Sequence, residues 1–168
     1  MSSGRFWRVA VTRRTRAPEA RLLRDDLKEL GLRGFGDVGF SRLYFLKGDL
    51  DRPDAERIAR ELLADPVSER HEVARDRVGT MALEVLFNPG VMDPSVASTV
   101  RALADMGFPG VAVRTGRGYG FGRSLTPGEL RVVCGLVMNP LIEHTARPVS
   151  YTHLRAHETV LDLVCRLL

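Results

Sequence analysis

Hydrophobic positions along the chain follow two spacings, which predict alternating strands and helices. Apolar residues at every second position predict opening strands at residues 6–11 and 82–87. Apolar residues three and four positions apart predict helices at about 19–30 and 95–106. Glycines that suit the positive φ of a helix C-terminal cap follow these two helices, at Gly31 and Gly107.

The remaining predicted elements follow each of these helices in the same order: two strands, a second helix and a short closing strand. In chain order they occupy residues 36–41, 43–47, 54–63, 70–73, 110–114, 118–122, 128–138 and 143–146. Asp51 and Thr126 precede the second helices, and each is followed by a proline within the first turn. An acid or hydroxyl at this place caps free backbone N–H groups, so both positions predict helix N-termini.

The order of elements recurs because the second half of the chain repeats the first at a separation of 74 to 76 residues. The matched segments are Val9-Ala10-Val11 with Val85-Leu86-Phe87, Pro18 with Pro94, Arg42-Leu43-Tyr44 with Arg117-Gly118-Tyr119, and Asp65-Pro66 with Asn139-Pro140. We therefore expect two repeats, at 5–73 and 81–147, joined by a polar linker at 74–80. The expected fold is α+β: two βαββα(β) units, each an antiparallel sheet with helices on one face, packed as a pseudo-dimer.

The last segment, residues 148–168, resembles a sequencing-library adapter translated in frame. We expect this tail to be non-native and exclude it from the fold argument. His153 and His157, four residues apart, would otherwise suggest half of a zinc site on a helix. On this interpretation the natural chain continues beyond Arg147 with a different sequence.

Composition narrows the class of protein. Hydrophobic residues make up 44% of the chain and charged residues 27%, which is typical of a soluble globular protein. The sequence has no apolar run long enough to span a bilayer, and its two cysteines provide neither a disulfide framework nor a metal quartet. These features favour a cytoplasmic protein without a membrane partner.

The net charge of +4 is a weak indication of a nucleic-acid partner. The chain has 25 basic and 21 acidic residues, and the two kinds are interleaved along it. No segment of the sequence concentrates positive charge into a stripe that would follow a phosphate backbone. We therefore do not expect nucleic acid as the main partner.

Catalytic motifs are missing from the sequence. It contains no G-x-S-x-G elbow, no phosphate loop ending in Gly-Lys-Ser/Thr and no Cys-x-x-Cys pair. His71 and His144 are candidates for a general base, but both are more typical of surface histidines beside short strands. We predict no catalytic, cofactor-binding or metal-binding residues in this chain.

A glycine-rich segment at 116–123 leaves two interpretations open. Residues 117–121 match the first five positions of the third-strand signature of RNA-recognition motifs, and Tyr119 and Phe121 would share one face for base stacking. The signature then breaks at Gly122, and the partner motif is missing from the strand at 82–87. The other interpretation is a strand whose glycines let another surface approach closely.

Several short motifs along the chain carry a family resemblance: the segment Asn88-Pro89-Gly90-Val91-Met92-Asp93-Pro94, the two Arg-x-Tyr motifs, Gly48-Asp49-Leu50, residues 59–67 and residues 137–143. Together they resemble the PurS family, the small subunit of phosphoribosylformylglycinamidine synthase. The tandem arrangement resembles the N-terminal region of longer synthase polypeptides, which carry two such units before the synthetase domain. The first unit departs from the family at 13–18, where arginines replace a glycine-containing acidic turn.

The resemblance implies a role in purine biosynthesis, in the ATP- and glutamine-dependent conversion of formylglycinamide ribonucleotide to its amidine. In that family this module is not the catalyst. It bridges the synthetase, expected here on the same polypeptide, and the glutaminase, while ATP and Mg²⁺ belong to the synthetase region beyond this chain. The alternatives are an RNA-binding module and a free-standing ligand-binding protein.

Four residues are our candidates for contacts between repeats or between domains. They are the arginines and tyrosines of the two Arg-x-Tyr motifs: Arg42, Tyr44, Arg117 and Tyr119. Arginine and tyrosine are enriched at the centres of protein interfaces, which is the reason for this choice.

Overall fold

The computed structural model describes residues 5–75 and 81–146 as an α+β protein with a six-stranded antiparallel sheet and four helices. In chain order the elements are β1 (Arg5–Arg13), α1 (Pro18–Glu29), β2 (Gly39–Gly48), α2 (Arg52–Ile58), β3 (Glu69–Ala74), β4 (Met81–Phe87), α3 (Pro94–Asp105), β5 (Ala112–Gly120), α4 (Pro127–Val137) and β6 (Glu143–Ala146). A π-helical segment, Ala59–Leu63, continues α2, and the two together form the α2 segment. Most of the predicted linker, at 76–80, and the predicted tail at 148–168 lie outside the described residues.

The sheet is continuous across both halves of the chain. Its strand order is β3-β1-β2-β5-β4-β6, so β2 from the first half pairs with β5 from the second in the centre. Their antiparallel register runs from Gly39 opposite Gly120 to Lys47 opposite Ala112. The strands of the two halves meet at this central pairing, which joins them into one sheet of six strands.

The predicted pairs of strands after the first helices are wrong. One unbroken strand, β2, replaces the predicted strands at 36–41 and 43–47, and β5 replaces those at 110–114 and 118–122. The order in each half is therefore strand–helix–strand–helix–strand. The reason is that Arg42, which lies between the two predicted strands, is paired on both sides, with Val11 of β1 and Arg117 of β5. A turn there would leave ladder N–H and C=O groups without partners.

The predicted helix ends are confirmed. Asp51 and Thr126 each form a reciprocal capping box at the N-terminus of α2 and α4, and Asp93 caps α3 through the Ser95 N–H at 2.9 Å. The N-cap of α1, Ala17, supplies no side-chain hydrogen bond. After α1 and α3 the chain adopts positive φ at the two predicted glycines, with φ of 75° at Gly31 and 92° at Gly107.

All four helices pack on one face of the sheet, and the halves interlock there. The buried core under α2 and α3 contains Trp7 and Val9 of β1 together with Leu103 of α3. The core under α1 and α4 contains Leu27 of α1 together with Val85 of β4. The first helix of each half therefore shares a buried cluster with strands of the other half, so each core draws on both halves.

The opposite sheet face carries a buried ion pair in an apolar setting. Arg8 of β1 and Glu84 of β4 form this pair, and their side chains are 1% and 0% exposed. Ala10, Leu43 and Phe45 form a buried cluster on the same face. Since Arg8 and Glu84 stand 76 residues apart, they occupy matching positions of the sequence repeat.

Candidate functional site

The four predicted interface residues all lie on the central strands β2 and β5: Arg42, Tyr44, Arg117 and Tyr119. Arg42 lies directly opposite Arg117 in the antiparallel register. All four side chains share the strand periodicity of the helix-covered face. The structure therefore brings the two arginines together where the halves of the chain meet, with one tyrosine on each side along the strands.

Arg42 forms hydrogen bonds to both the end of the α2 segment and β3. Its guanidinium donates to both carboxylate oxygens of Glu69, at 2.7 and 2.8 Å, and to the Leu63 carbonyl at 3.3 Å. The Glu69 carboxylate also accepts the backbone N–H of Asp65 at 3.0 Å. Both oxygens of this carboxylate and part of the guanidinium are thus occupied by contacts within the chain.

Arg117 makes the matching contacts in the second half. Its guanidinium donates to Glu143 at 2.7 Å and to the Val137 carbonyl at 3.0 Å, and Glu143 accepts the Asn139 N–H at 2.9 Å. Glu143 is buried, so this carboxylate depends on its hydrogen-bond partners. Sequence reasoning left both arginines just outside the predicted strands and missed their glutamate partners, which lie 27 and 26 residues further along the chain.

A cleft of about 300 Å³ opens over the two arginines. Its lining also includes the acidic residues Glu19, Asp93 and Glu143. Because three acids accompany the two arginines in its lining, the cleft has no excess of positive charge to select an anion. Arg117 and Glu143 already pair with each other within it.

The two tyrosines differ in accessibility. Tyr44 is half-buried beneath Arg42, whose guanidinium lies 6.0 Å from the ring centroid. Tyr119 is buried, and this burial raises the pKa of its hydroxyl. Its ring packs edge-on against the ring of Phe40, with 5.5 Å between the ring centroids. Phe121 follows the end of β5, and its ring centroid lies 6.0 Å from that of Phe35. This arrangement does not favour base stacking, which needs both rings on an open sheet face.

The glycines of β5 let side chains from β4 lie across the strand. A Cβ added at Gly116 would stand 2.6 Å from Leu86, and one added at Gly118 would overlap Met81. Both neighbours come from the adjacent strand, on the face opposite the helices. The interpretation that these glycines allow close approach is therefore confirmed, and the approaching surface is internal.

Sequence reasoning missed Arg123, which joins the halves at the end of the glycine-rich segment. Its guanidinium donates to both oxygens of Glu129, at 2.6 and 2.9 Å, and to the Gly34 carbonyl at 2.9 Å. It also lies 4.7 Å from the ring centroid of Phe35. The sequence predicted that Thr126 caps α4, but the reciprocal contact from Glu129 and its arginine partner needed the tertiary structure.

The Arg123–Glu129 pair leads to a pH-dependent prediction. Hydrogen bonding from Arg123 lowers the pKa of Glu129 from 4.5 to about 2. A lowered carboxyl pKa stabilises the folded protein fully above pH 4.5, and this contribution is lost as the pH falls towards 2. We expect the Glu129 carboxyl carbon to titrate near pH 2 by NMR, and nearer 4.5 in Arg123→Ala. A midpoint near 4.5 in the unchanged protein would contradict this assignment.

The outer face of α4 is apolar where the matching face of the α2 segment is charged. Val132 and Leu136, one helical turn apart on α4, are 36% and 39% exposed. The residues 75 positions earlier are Arg57 and Glu61, which form an ion pair at 3.0 Å. Exposed apolar positions that the related helix fills with charges are typical of a surface that another protein covers. Sequence reasoning missed this face, although the alignment of the repeats contained it.

The two candidate bases have partners on the chain surface. His71 lies 3.4 Å from Glu56, and His144 lies 3.0 Å from the Asn88 side-chain oxygen. Burial is the main reason why the pKa of His144 is lowered. Neither histidine lies beside a nucleophilic side chain in these contacts.

Metal sites and membrane spans were sought in the described part of the chain, residues 5–75 and 81–146. No three His, Cys, Asp or Glu side chains there are grouped so that they could hold a metal ion. None of the helices in these ranges has the length and apolar character needed to cross a bilayer.

Comparison with known proteins gives no assignment. Neither a scan against protein-family models nor a search of curated proteins finds a match to this chain.

Proposed function

We propose that this chain is the N-terminal assembly module of phosphoribosylformylglycinamidine synthase. In this role it contacts the ATP-dependent synthetase domain and bridges it to the glutaminase, while catalysis takes place outside the module. The enzyme would be a C–N ligase that uses glutamine as its amide donor. The observation that carries the proposal is the apolar outer face of α4, on a chain whose motifs resemble the PurS family.

The proposal includes two related units, packed about an approximate twofold axis. Three observations support this organisation. The order strand–helix–strand–helix–strand occurs twice, Arg42 faces its repeat counterpart Arg117, and the Arg42–Glu69 contact recurs as Arg117–Glu143. A twofold axis passing between Arg42 and Arg117 accounts for all three at once.

The exposed pair Val132 and Leu136 supports docking of the synthetase domain on α4 of the second unit. Two units with the same fold would present the same surface if both were covered in the same way. Here the α2 segment presents the ion pair Arg57–Glu61, which suits solvent, whereas α4 presents Val132 and Leu136. Covering apolar side chains removes their surface from water, which favours association.

A charge exchange on α4 tests this function. The double substitution Val132→Arg with Leu136→Glu places on α4 the charges that the α2 segment already carries. We expect it to weaken binding of the separately produced synthetase domain by about 100-fold or more, because it removes two apolar contacts and buries two charges. The measurement is the dissociation constant by surface plasmon resonance.

The matched control is Arg57→Ala with Glu61→Ala, which changes the same positions of the first unit. We expect this variant to bind the synthetase domain like the unchanged protein. Circular dichroism should show that both variants remain folded, since all four side chains lie on outer helix faces. A folded α4 variant with undiminished binding would contradict the proposal.

The RNA-binding alternative has less structural support, since Tyr119 is buried under the helices. Its test is retention on RNA that falls steeply with salt concentration. A free-standing ligand-binding protein is a third alternative, and its test is measurable affinity of the purified chain for a small molecule.

A further inference from the structure

The loop between β1 and α1 concentrates arginines around a shallow depression. Arg13, Arg14 and Arg16 are all exposed in this loop, and Arg70 joins them from the neighbouring strand β3. Together with Ala20 in the first turn of α1, they line a depression of about 220 Å³. This volume suits a phosphate-sized anion and is too small for a whole nucleotide.

The positive charge of this depression is largely uncompensated. Asp37 is the only acidic residue in its lining, and it pairs with Arg16 at 2.9 Å. Within residues 5–75 and 81–146, Arg13, Arg14 and Arg70 form no ion pair.

The acids of the adjoining strand β3 do not change this balance. The Glu69 carboxylate is held by Arg42, and Glu72 lies outside the lining of the depression. Three arginines without an ion-pair partner among the described residues therefore line a small concave surface whose one carboxylate, that of Asp37, pairs with Arg16. Guanidinium groups bind phosphate oxygens through strong charge-assisted hydrogen bonds.

The matching loop of the second half serves as an internal comparison. At the positions of Arg13, Arg14, Arg16 and Ala17, it carries Pro89, Gly90, Met92 and Asp93. Asp93 caps α3 with its own carboxylate, whereas Ala17 leaves the first N–H groups of α1 without a side-chain partner. An arginine-rich composition alone would place arginines in both loops, but the matching loop of the second half has none at these positions.

We propose that this depression binds the phosphate group of a small phosphorylated ligand. Arg13, Arg14 and Arg70 donate to the phosphate oxygens, and the N-terminal turn of α1 adds its partial positive charge from one side. The concave shape and the local position of the charges favour a single phosphate group over a nucleic-acid backbone, which needs an extended stripe. This inference does not depend on the proposed assembly function.

The test is a titration of the protein with inorganic phosphate and with phenyl phosphate at constant ionic strength. We expect saturable binding by NMR, with amide shift changes concentrated at residues 13–20 and near Arg70. The double substitution Arg13→Ala with Arg14→Ala should weaken phosphate binding at least about tenfold, because each arginine supplies a charge-assisted hydrogen bond.

Arg131→Ala is the matched control. Arg131 is an exposed arginine on α4 that forms no ion pair within the described part of the chain, so its loss should leave phosphate affinity unchanged. Unchanged thermal unfolding of the loop variant would show that it remains folded. Equal weakening in both variants, or no saturable binding of either phosphate probe below 10 mM (a limit of about 2.7 kcal/mol of binding free energy), would overturn the proposal. Binding of an oligouridylate without binding of inorganic phosphate would also overturn it and indicate nucleic acid.

Discussion

Replacing Glu84 with alanine is expected to destabilise the folded protein by about 3–5 kcal/mol, measured as the loss in the free energy of unfolding in urea. Glu84 and Arg8 form an ion pair in which both side chains are almost completely buried. Without the carboxylate, the guanidinium of Arg8 keeps the desolvation cost of burial and loses the charge that offset it. Small domains have a total stability of this order, so unfolding at room temperature is a realistic result.

A double substitution separates the charge effect from simple loss of packing. Arg8→Met with Glu84→Leu removes both charges and keeps most of the buried volume, so we expect it to restore much of the stability that Glu84→Ala loses. Glu72→Ala is a surface control on the same sheet face, where a change within about 0.5 kcal/mol is expected. If the double variant were as unstable as Glu84→Ala, the buried charge would not be the cause.

Separating the halves of the chain is the second change for which we expect a large effect. A polypeptide of residues 5–75 and another of residues 81–146 should each be unfolded alone, and should fold together when mixed. Leu27 of α1 shares a buried cluster with Val85 of β4, and Leu103 of α3 shares one with Trp7 of β1, so each half alone would expose its own helix and strand surfaces. Circular dichroism of the separate and mixed polypeptides measures the effect.

The mixing experiment has its own control. Leu103→Ala in the second polypeptide removes a side chain that is completely buried against the first half, and it should weaken the complex by about 2–5 kcal/mol. A cooperative unfolding transition in either polypeptide alone would contradict the interlocked core. It would indicate instead that each half is an independent domain with its own hydrophobic core.

Local chemistry made the helices predictable. The capping residues Asp51 and Thr126 stand where α2 and α4 begin, and Gly31 stands where α1 ends. Such signals depend on residues within one helical turn, so they can be detected without knowing the fold. The same locality explains the wrong prediction for β2, because a strand interrupted by Arg42 and a strand containing it differ only in the partners across the sheet.

The candidate site was only partly predictable for a related reason. The repeat placed Arg42 and Arg117 at matching positions, but their contact partners Glu69 and Glu143 come from other strands. The pairing of Arg8 with Glu84 was also hidden, since a charged residue in a strand normally predicts a solvent-facing position. Non-local contacts of this kind depend on sheet order, which apolar periodicity does not specify.

The sequence by itself determined the features that depend on neighbouring residues: the helix ends, the strands β1, β3, β4 and β6, and the repeat. Only the tertiary structure decided that β2 and β5 join the halves into one sheet, that α1 and α3 share buried clusters with strands of the other half, and that Gly116 and Gly118 face side chains of β4. The physical reason is that capping and periodicity are local. Strand order and helix packing depend instead on how the whole chain buries its apolar surface.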